Sequence, residues 1–222
     1  MGISERKSRE KEFRRQQIQQ AAKELCIVKG LRSTTIEDIA ERAELSPGTI
    51  YLYFKNKGDL YASLNLIGLQ RLTDEIEKVY KNKNLTAEEK ILKFKDAMYS
   101  NFEQDPLLQR VIFHIQLEDT LSTIDKKTLT QLNRLAQKMM MMIANTYTDG
   151  IRRGKSNDRR GMAHADIMWA TFAGLVLWEE AKRKINPQKD FLKATLDRAF
   201  EIFLKGIKQE GYGNRPARGR LH

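Results

Sequence analysis

The chain has little of what breaks helices or cross-links folds. Among its 222 residues only four are proline and one is cysteine. A lone Cys26 excludes an intrachain disulfide and a cysteine-based zinc site, so a reducing, cytoplasmic setting is expected. Cys26 follows Leu25 in an amphipathic stretch, where a small packing side chain fits. Long apolar runs are also missing. Nothing approaches the roughly 18 residues a membrane span needs, so no membrane partner is expected. The N-terminal MGISERKSREKEF has no apolar segment of the kind a secretory leader carries.

Reactive constellations are equally scarce. His114, His164 and His222 are far apart, and none has a second ligand at metal-site spacing. Neither a metal nor a cofactor is therefore expected. No GxSxG occurs. The pairs Glu118-Asp119 and Glu179-Glu180 are adjacent, so their carboxylates point to different sides of a helix. GIRRGKS, from Gly150, has three residues between its glycines and no preceding strand, which excludes a phosphate loop. No catalytic residue is assigned and no enzymatic activity is expected.

Charge and helical pattern remain. Hydrophobic residues make up 41% and charged residues 31%, the balance of a globular protein. The net charge of +11 suggests a polyanionic partner, nucleic acid first and an anionic membrane surface second. Residues 1–60 hold 12 basic and 9 acidic side chains, and residues 61–222 hold 28 and 20. Within the first segment, residues 1–15 supply the whole excess, six basic against three acidic. Charge alone does not single out a binding domain.

Nearly everything reads as helix. Ile18, Ala21, Ala22 and Leu25 form a one-sided stripe that Gly30 ends. Ile36, Ile39, Ala40 and Ala43 repeat it over a short second helix, with Thr34 and Glu37 read as its capping box. A third short helix begins at Ser46. A fourth runs over about 56–80, with Asn56 as N-cap and Asp59 at N3. Longer helices follow over about 86–104, 106–118, 125–153, 161–185 and 188–209. Asp105-Pro106 and Asn186-Pro187 provide two of the breaks. The expected fold is all-α, with about nine helices. Residues 1–55 form a compact three-helix domain, 56–210 a larger bundle, and 211–222 a flexible basic tail.

One stretch carries the functional signal. In IEDIAERAELSPGTIYLYF, residues 36–54, an amphipathic helix ends near Ala43 and a tight turn follows. Ser46 is a good N-cap, and Pro47 suits the first helical position because its missing N–H costs nothing there. Helix, short turn and helix make the helix-turn-helix plan, whose second helix enters the DNA major groove. Pro47 and Gly48 keep the start of that helix slim. Thr49 offers a methyl group to a thymine and a hydroxyl to a base edge. Tyr51 and Tyr53 carry phenols suited to phosphates or bases, while Ile50 and Phe54 face inward. Thr35 stands where free helix N–H groups attract phosphate. Lys57 opposes the dipole of its own helix, a placement that a phosphate would complete. The same spacing fits a plain αα-hairpin with aromatic core residues. The residues alone therefore leave open a helical small-molecule or lipid-binding protein whose hairpin never touches DNA.

Residues 34–61, TTIEDIAERAELSPGTIYLYFKNKGDLY, resemble the DNA-binding domain of the tetracycline-repressor (TetR) family of bacterial transcriptional regulators. The likeness lies in Thr34-Thr35-Ile36, Ile39-Ala40, Leu45-Ser46, Gly48-Thr49-Ile50-Tyr51, Tyr53-Phe54 and Lys55-Asn56-Lys57, and it spans about residues 13–65. It implies DNA-facing positions at Thr35, Ser46, Pro47, Gly48, Thr49, Tyr51, Leu52, Tyr53 and Lys57. Glu44 departs from the family, which commonly places glycine there. A left-handed conformation at that turn would cost a non-glycine residue roughly 1 kcal/mol.

For the rest of the chain the resemblance implies a dimeric repressor, released from a palindromic double-stranded DNA operator by a small apolar or amphipathic effector. The two last long helices would dimerise, through Gly174, Leu175, Leu192, Leu196, Phe200 and Phe203. Met98, Phe102, Phe113, Met139, Tyr147, Trp169 and Phe172 would line the effector pocket. Four consecutive methionines, 139 to 142, cannot all face one core.

Overall fold

The computed structural model describes residues 2–107, 110–112, 122–150, 159–188 and 190–213. Phe113, His114, His222, the Glu118-Asp119 pair, most of the helix expected over 106–118, the loop at 151–156 and the tail beyond 213 lie outside them. Eight helices of at least seven residues are present among the described residues: α1 Ile3–Lys29, α2 Ile36–Arg42, α3 Pro47–Tyr53, α4 Lys57–Lys81, α5 Ala87–Gln104, α6 Lys126–Gly150, α7 Arg159–Ile185 and α8 Leu192–Gly213. Residues 106–107 and 110–112 are helical too, and no described residue is in a strand.

Two compact units divide the chain, Met1–Arg71 with Phe102–Leu135 and Leu72–Asn101 with Ala136–His222. The first unit is thus larger than the three helices read at 1–55. It also takes in the first half of α4 and the start of α6.

Its core is built from α1, α2, α3 and the start of α4. Ile18, Ala22, Ile39, Ile50, Phe54 and Leu60 are almost fully buried together. Cys26 is buried among them, and its thiol donates to the Tyr61 hydroxyl at 3.3 Å. Burial pushes the Cys26 pKa up against the lowering effect of that hydroxyl, so the thiol is a packing group rather than a reactive one.

Caps set the helix starts. The cap of α2 is Thr35, not Thr34: the Thr35 hydroxyl accepts the Asp38 N–H at 3.1 Å, and Asp38 accepts the Thr35 N–H at 3.0 Å. Thr34 is fully buried instead, and its hydroxyl donates to the Gly30 carbonyl at 2.8 Å. The sequence holds two overlapping capping boxes, and burial of the first threonine selects the second. Asn56 caps α4 as expected, accepting the Asp59 N–H at 2.8 Å. Thr86 and Glu89 cap α5 reciprocally.

In the second unit Ile76, Phe94, Met98, Ile143, Phe172 and Phe200 are buried. Gly161 is required there: a Cβ would stand 2.5 Å from Thr148 Oγ1 and 3.0 Å from the Ala144 carbonyl, so α7 approaches α6 at backbone distance. Two charges are buried with partners. Lys95 pairs with Asp96 and Asp197; burial alone would lower its pKa, but the two carboxylates outweigh it and the net shift is upward. Glu179 pairs with Lys182 and accepts the Phe191 N–H at 3.1 Å. With Asp190 accepting the Leu192 N–H, that bond starts α8 at Leu192 rather than near residue 188.

Candidate nucleic-acid interface

Local rules fix the α2–turn–α3 unit. Leu45 N–H returns to the Ala40 carbonyl at 2.9 Å and Glu44 N–H to the Glu41 carbonyl at 3.0 Å. Closing the turn this way drives Glu44 to φ 54, the left-handed conformation that its departure from glycine made costly. Ser46 Oγ then accepts the Thr49 N–H at 3.2 Å, and the two hydroxyls lie 2.9 Å apart. Pro47 takes the first helical position.

The faces of α3 separate as the spacing predicts. Ile50 and Phe54 are buried. Ser46, Pro47 and Gly48 are exposed, Tyr51 is 52% exposed and Leu52 is 79% exposed. Thr49 and Tyr53 are half-buried, and Tyr53 packs against the core edge. At 79% exposure Leu52 adds little to the core of the first unit. Gly48 argues the same way. A Cβ there would meet only Ser46 Oγ, at 3.8 Å, so no contact among the described residues requires glycine.

The neighbouring turn between α1 and α2 is held from α4. Lys57 Nζ donates to the carbonyls of Thr34 at 3.0 Å and of Leu31 and Arg32 at 3.3 Å. Tyr61, one helical turn later, donates to the Leu31 carbonyl at 2.9 Å. The unfavourable position of Lys57 on its helix dipole is thus met inside the protein by three carbonyls, with no phosphate needed. Carbonyls do not neutralise an ammonium, so the positive charge remains beside exposed Thr35.

Several contacts here carry no local sequence signal. Arg15 donates to the Tyr53 carbonyl at 3.3 Å and lies over the Phe54 ring, 4.4 Å from its centroid. The α3–α4 junction is also pinned to the start of α6. Asn56 donates to the Thr123 carbonyl at 2.8 Å, Lys55 pairs with Asp125, and Thr128 donates to buried Asp59 at 3.3 Å. Hydrogen bonding to Lys55 holds the Asp125 carboxyl below its ordinary pKa. These partners are about 70 residues apart in the chain, beyond the reach of any periodicity.

The remaining expected site residues fall in different places. Met98, Met139, Tyr147 and Phe172 are buried and Trp169 is half-buried, all in the second unit, whereas Phe102 is buried in the first. Of the four methionines, Met139 and Met142 are buried and Met141 turns to solvent. A cavity of about 260 Å³ lies elsewhere, in the first unit, lined by Gln16, Gln19, Lys23, Leu64, Arg71 and Asp105. None of the six expected pocket residues that are described lines it. The residues expected at the dimer face differ in exposure. Leu192, Leu196 and Phe200 are buried within the chain, because the apolar face of α8 is taken up by its own core. Leu175 and Phe203 are half-buried, and only Gly174 of that group is exposed.

The arrangement is a helix-turn-helix with a slim, exposed recognition helix, the surface of a sequence-reading DNA-binding protein. Residues 18–64 match the family model described as bacterial regulatory proteins, tetR family. The chain is 28% identical over 193 residues to the Fatty acid metabolism regulator protein of Bacillus subtilis (strain 168), covering 86% of this chain and 94% of that protein. Its fold resembles the crystal structure of the transcriptional regulator FadR from Bacillus subtilis in complex with stearoyl-CoA. That match has a TM-score of 0.63 and 25% identity, over 86% of this chain and 98% of the other. The TetR family regulator PfmR from Thermus thermophilus shares the fold at 16% identity, with a TM-score of 0.64 over 92% and 97% of the two chains. Residues 18–64 therefore form a tetR-type DNA-binding domain, and the chain is a ligand-responsive, DNA-binding transcriptional regulator. No helix among the described residues is long and apolar enough to cross a membrane.

Proposed function

We propose that the chain is a homodimeric repressor that leaves a palindromic operator when it binds a long-chain acyl-CoA. The observation that carries the effector class is the likeness, across nearly the whole length of both proteins, to a fatty acid metabolism regulator and to a regulator solved with stearoyl-CoA. An acyl chain also suits the buried methionines and aromatics of the second unit, which can repack around a flexible apolar guest.

Pro47, Gly48, Thr49, Tyr51 and Leu52 meet bases in the major groove. Thr35, Ser46, Tyr53 and Lys57 serve the flanking phosphates. The dimer face is the exposed stripe of α7. Ile167, Ala170, Gly174, Leu177, Trp178 and Ile185 recur at helical spacing, and all are exposed in the single chain. A stripe of small residues with a large aromatic beside them lets two copies of a helix approach closely.

Effector response follows from chain continuity. Helices α4 and α6 each begin in the first unit and end in the second. The polar pins at Asn56, Lys55 and Asp59 tie the exit of α3 to the start of α6. An effector that favours one setting of these helices changes operator affinity by its differential affinity for the two settings. A tenfold effect needs about 1.4 kcal/mol.

Selection of duplexes from a random pool by the purified full chain tests the DNA part. The expected product is an inverted repeat whose half-site centres lie about 34–36 Å apart, or a multiple of that spacing. Tyr51→Ala should weaken its binding without lowering the melting temperature. A folded dimer that enriches no duplex would support the helical binder with a non-reading hairpin.

A further inference from the structure

The basic N-terminus acquires a direction in the structure. Helix α1 starts at Ile3 and continues unbroken to Lys29, so the first residues form a helical extension rather than a loose tail. Residues 4–13 are exposed throughout. Thirteen helical residues to Arg15 give a rod of about 20 Å.

The positions of the basic side chains on this rod matter. Lys7, Lys11, Arg14, Ile18, Ala21 and Leu25 follow one another in steps of three or four. They therefore lie on one continuous face. Ile18 and Ala21 are buried against α2, α3 and α4, and half-buried Leu25 packs on the same core. About two turns of helix bearing Lys7, Lys11 and Arg14 thus extend the face that packs on the helix-turn-helix, past the point where the core ends. The two bonds on either side of that face locate it. Gln17 donates to the Ala43 carbonyl, at the end of α2, at 2.8 Å. Arg15 donates to the Tyr53 carbonyl, at the end of α3. Between them the face looks along the α2–α3 unit. Arg6 and Arg9 instead continue toward exposed Phe13, Gln16 and Gln20, on the far side.

Two of the three nearby carboxylates are directed elsewhere. Glu5 accepts the Gly2 N–H at 3.2 Å, and Glu12 accepts from Gln16 at 3.2 Å. Charge balance points the same way. Residues 16–60, which contain the whole helix-turn-helix, hold six basic and six acidic side chains, while residues 1–15 hold six and three. The DNA-reading unit has no excess cation of its own except on this arm.

Resting on the operator reading above, we propose that the Lys7–Lys11–Arg14 face is a second DNA-contact surface. It grips backbone phosphates flanking the bases read by α3, and Arg6 and Arg9 take no part. Such contacts add affinity and salt dependence without adding sequence preference.

The test compares two double variants of the full chain, Lys7→Gln/Lys11→Gln and Arg6→Gln/Arg9→Gln, with the unaltered protein. The variants remove equal charge and keep good helix formers. Binding to the selected operator duplex is measured across a salt series. The first variant should flatten the slope of log affinity against log salt by about 2 per half-site, at roughly 0.9 per phosphate contact. The second should leave the slope nearly unchanged, and the same inverted repeat should be selected by all three. Equal flattening by both variants would mean diffuse charge and would overturn the inference, as would no flattening by either. If the unaltered protein binds no duplex, the operator reading itself falls and takes the arm with it, an outcome distinct from the other two. Circular dichroism melts that coincide for all three keep folding out of the comparison.

Discussion

The helix-turn-helix and the second unit are both all-helical, yet they specify themselves by different means. In the first, almost every residue answers a local demand. Thr35, Ser46 and Asn56 cap helices, Pro47 fits a first turn, and Ile50 and Phe54 fill one short face. In the second, α6, α7 and α8 run for 22 residues or more, and α7 carries apolar residues around most of its circumference. Which of those faces turns inward is settled by neighbours distant in sequence. Short elements with strong caps announce their orientation; long, evenly apolar ones do not.

The sharpest way to break this comparison is to cut the core on each side. Phe54→Ala and Phe200→Ala each remove a buried aromatic and should destabilise by about 3–5 kcal/mol. The melting temperature with Phe200→Ala should fall by the same amount at low and high protein concentration. A loss that disappears at high concentration would place Phe200 at the dimer interface instead. By contrast, Trp178→Ala, on the exposed stripe of α7, should shift the monomer–dimer equilibrium in sedimentation and leave the monomer folded.

Gly48 separates folding from reading at a single position. Gly48→Ala meets only Ser46 Oγ at 3.8 Å, so it should stabilise the helix by about 0.5–1 kcal/mol. The added methyl should at the same time weaken operator binding tenfold or more, read by fluorescence anisotropy. Parallel changes in melting temperature and affinity would mean that Gly48 serves the fold alone. A smaller gain is expected from Glu44→Gly, which relieves the left-handed φ of 54 and should raise stability by about 1 kcal/mol with little change in DNA affinity.

The smallest expected effect lies in the second unit. Hydrogen bonds from Lys138 and then Lys81 hold the Glu77 pKa at about 2, below its ordinary 4.5. A depressed folded-state pKa gives stability that is complete above the unfolded value and is lost as pH falls from about 4.5 toward 2. Glu77→Gln should therefore remove a small part of the acid-limb loss in melts between pH 5 and 2. An unchanged acid limb would show that the exposed ion pair contributes nothing.

What was legible in the sequence follows the same division. The recognition helix, its cap, its inward pair and the strained turn at Glu44 all sit within 20 residues and obey nearest-neighbour chemistry. The intramolecular partners of Lys57 were not legible, for an instructive reason. Its helix-dipole position is unfavourable locally, and the compensation comes from carbonyls of the α1–α2 turn, 23 to 26 residues earlier. The choice of Thr35 over Thr34 as cap depended on burial, which spacing does not encode. The stripe at Leu192, Leu196 and Phe200 was legible as apolar, but its burial within the chain was not, because periodicity reports a face and not what covers it.

The central claim is that acyl-chain binding and operator binding oppose each other in one molecule. The direct measurement is fluorescence anisotropy of a labelled operator duplex bound to the full chain, titrated with stearoyl-CoA and, separately, with coenzyme A lacking the acyl group. The account predicts that stearoyl-CoA releases the duplex at stoichiometric to modest excess and that coenzyme A does not. An operator complex indifferent to stearoyl-CoA, at concentrations where calorimetry shows the compound bound, would contradict it.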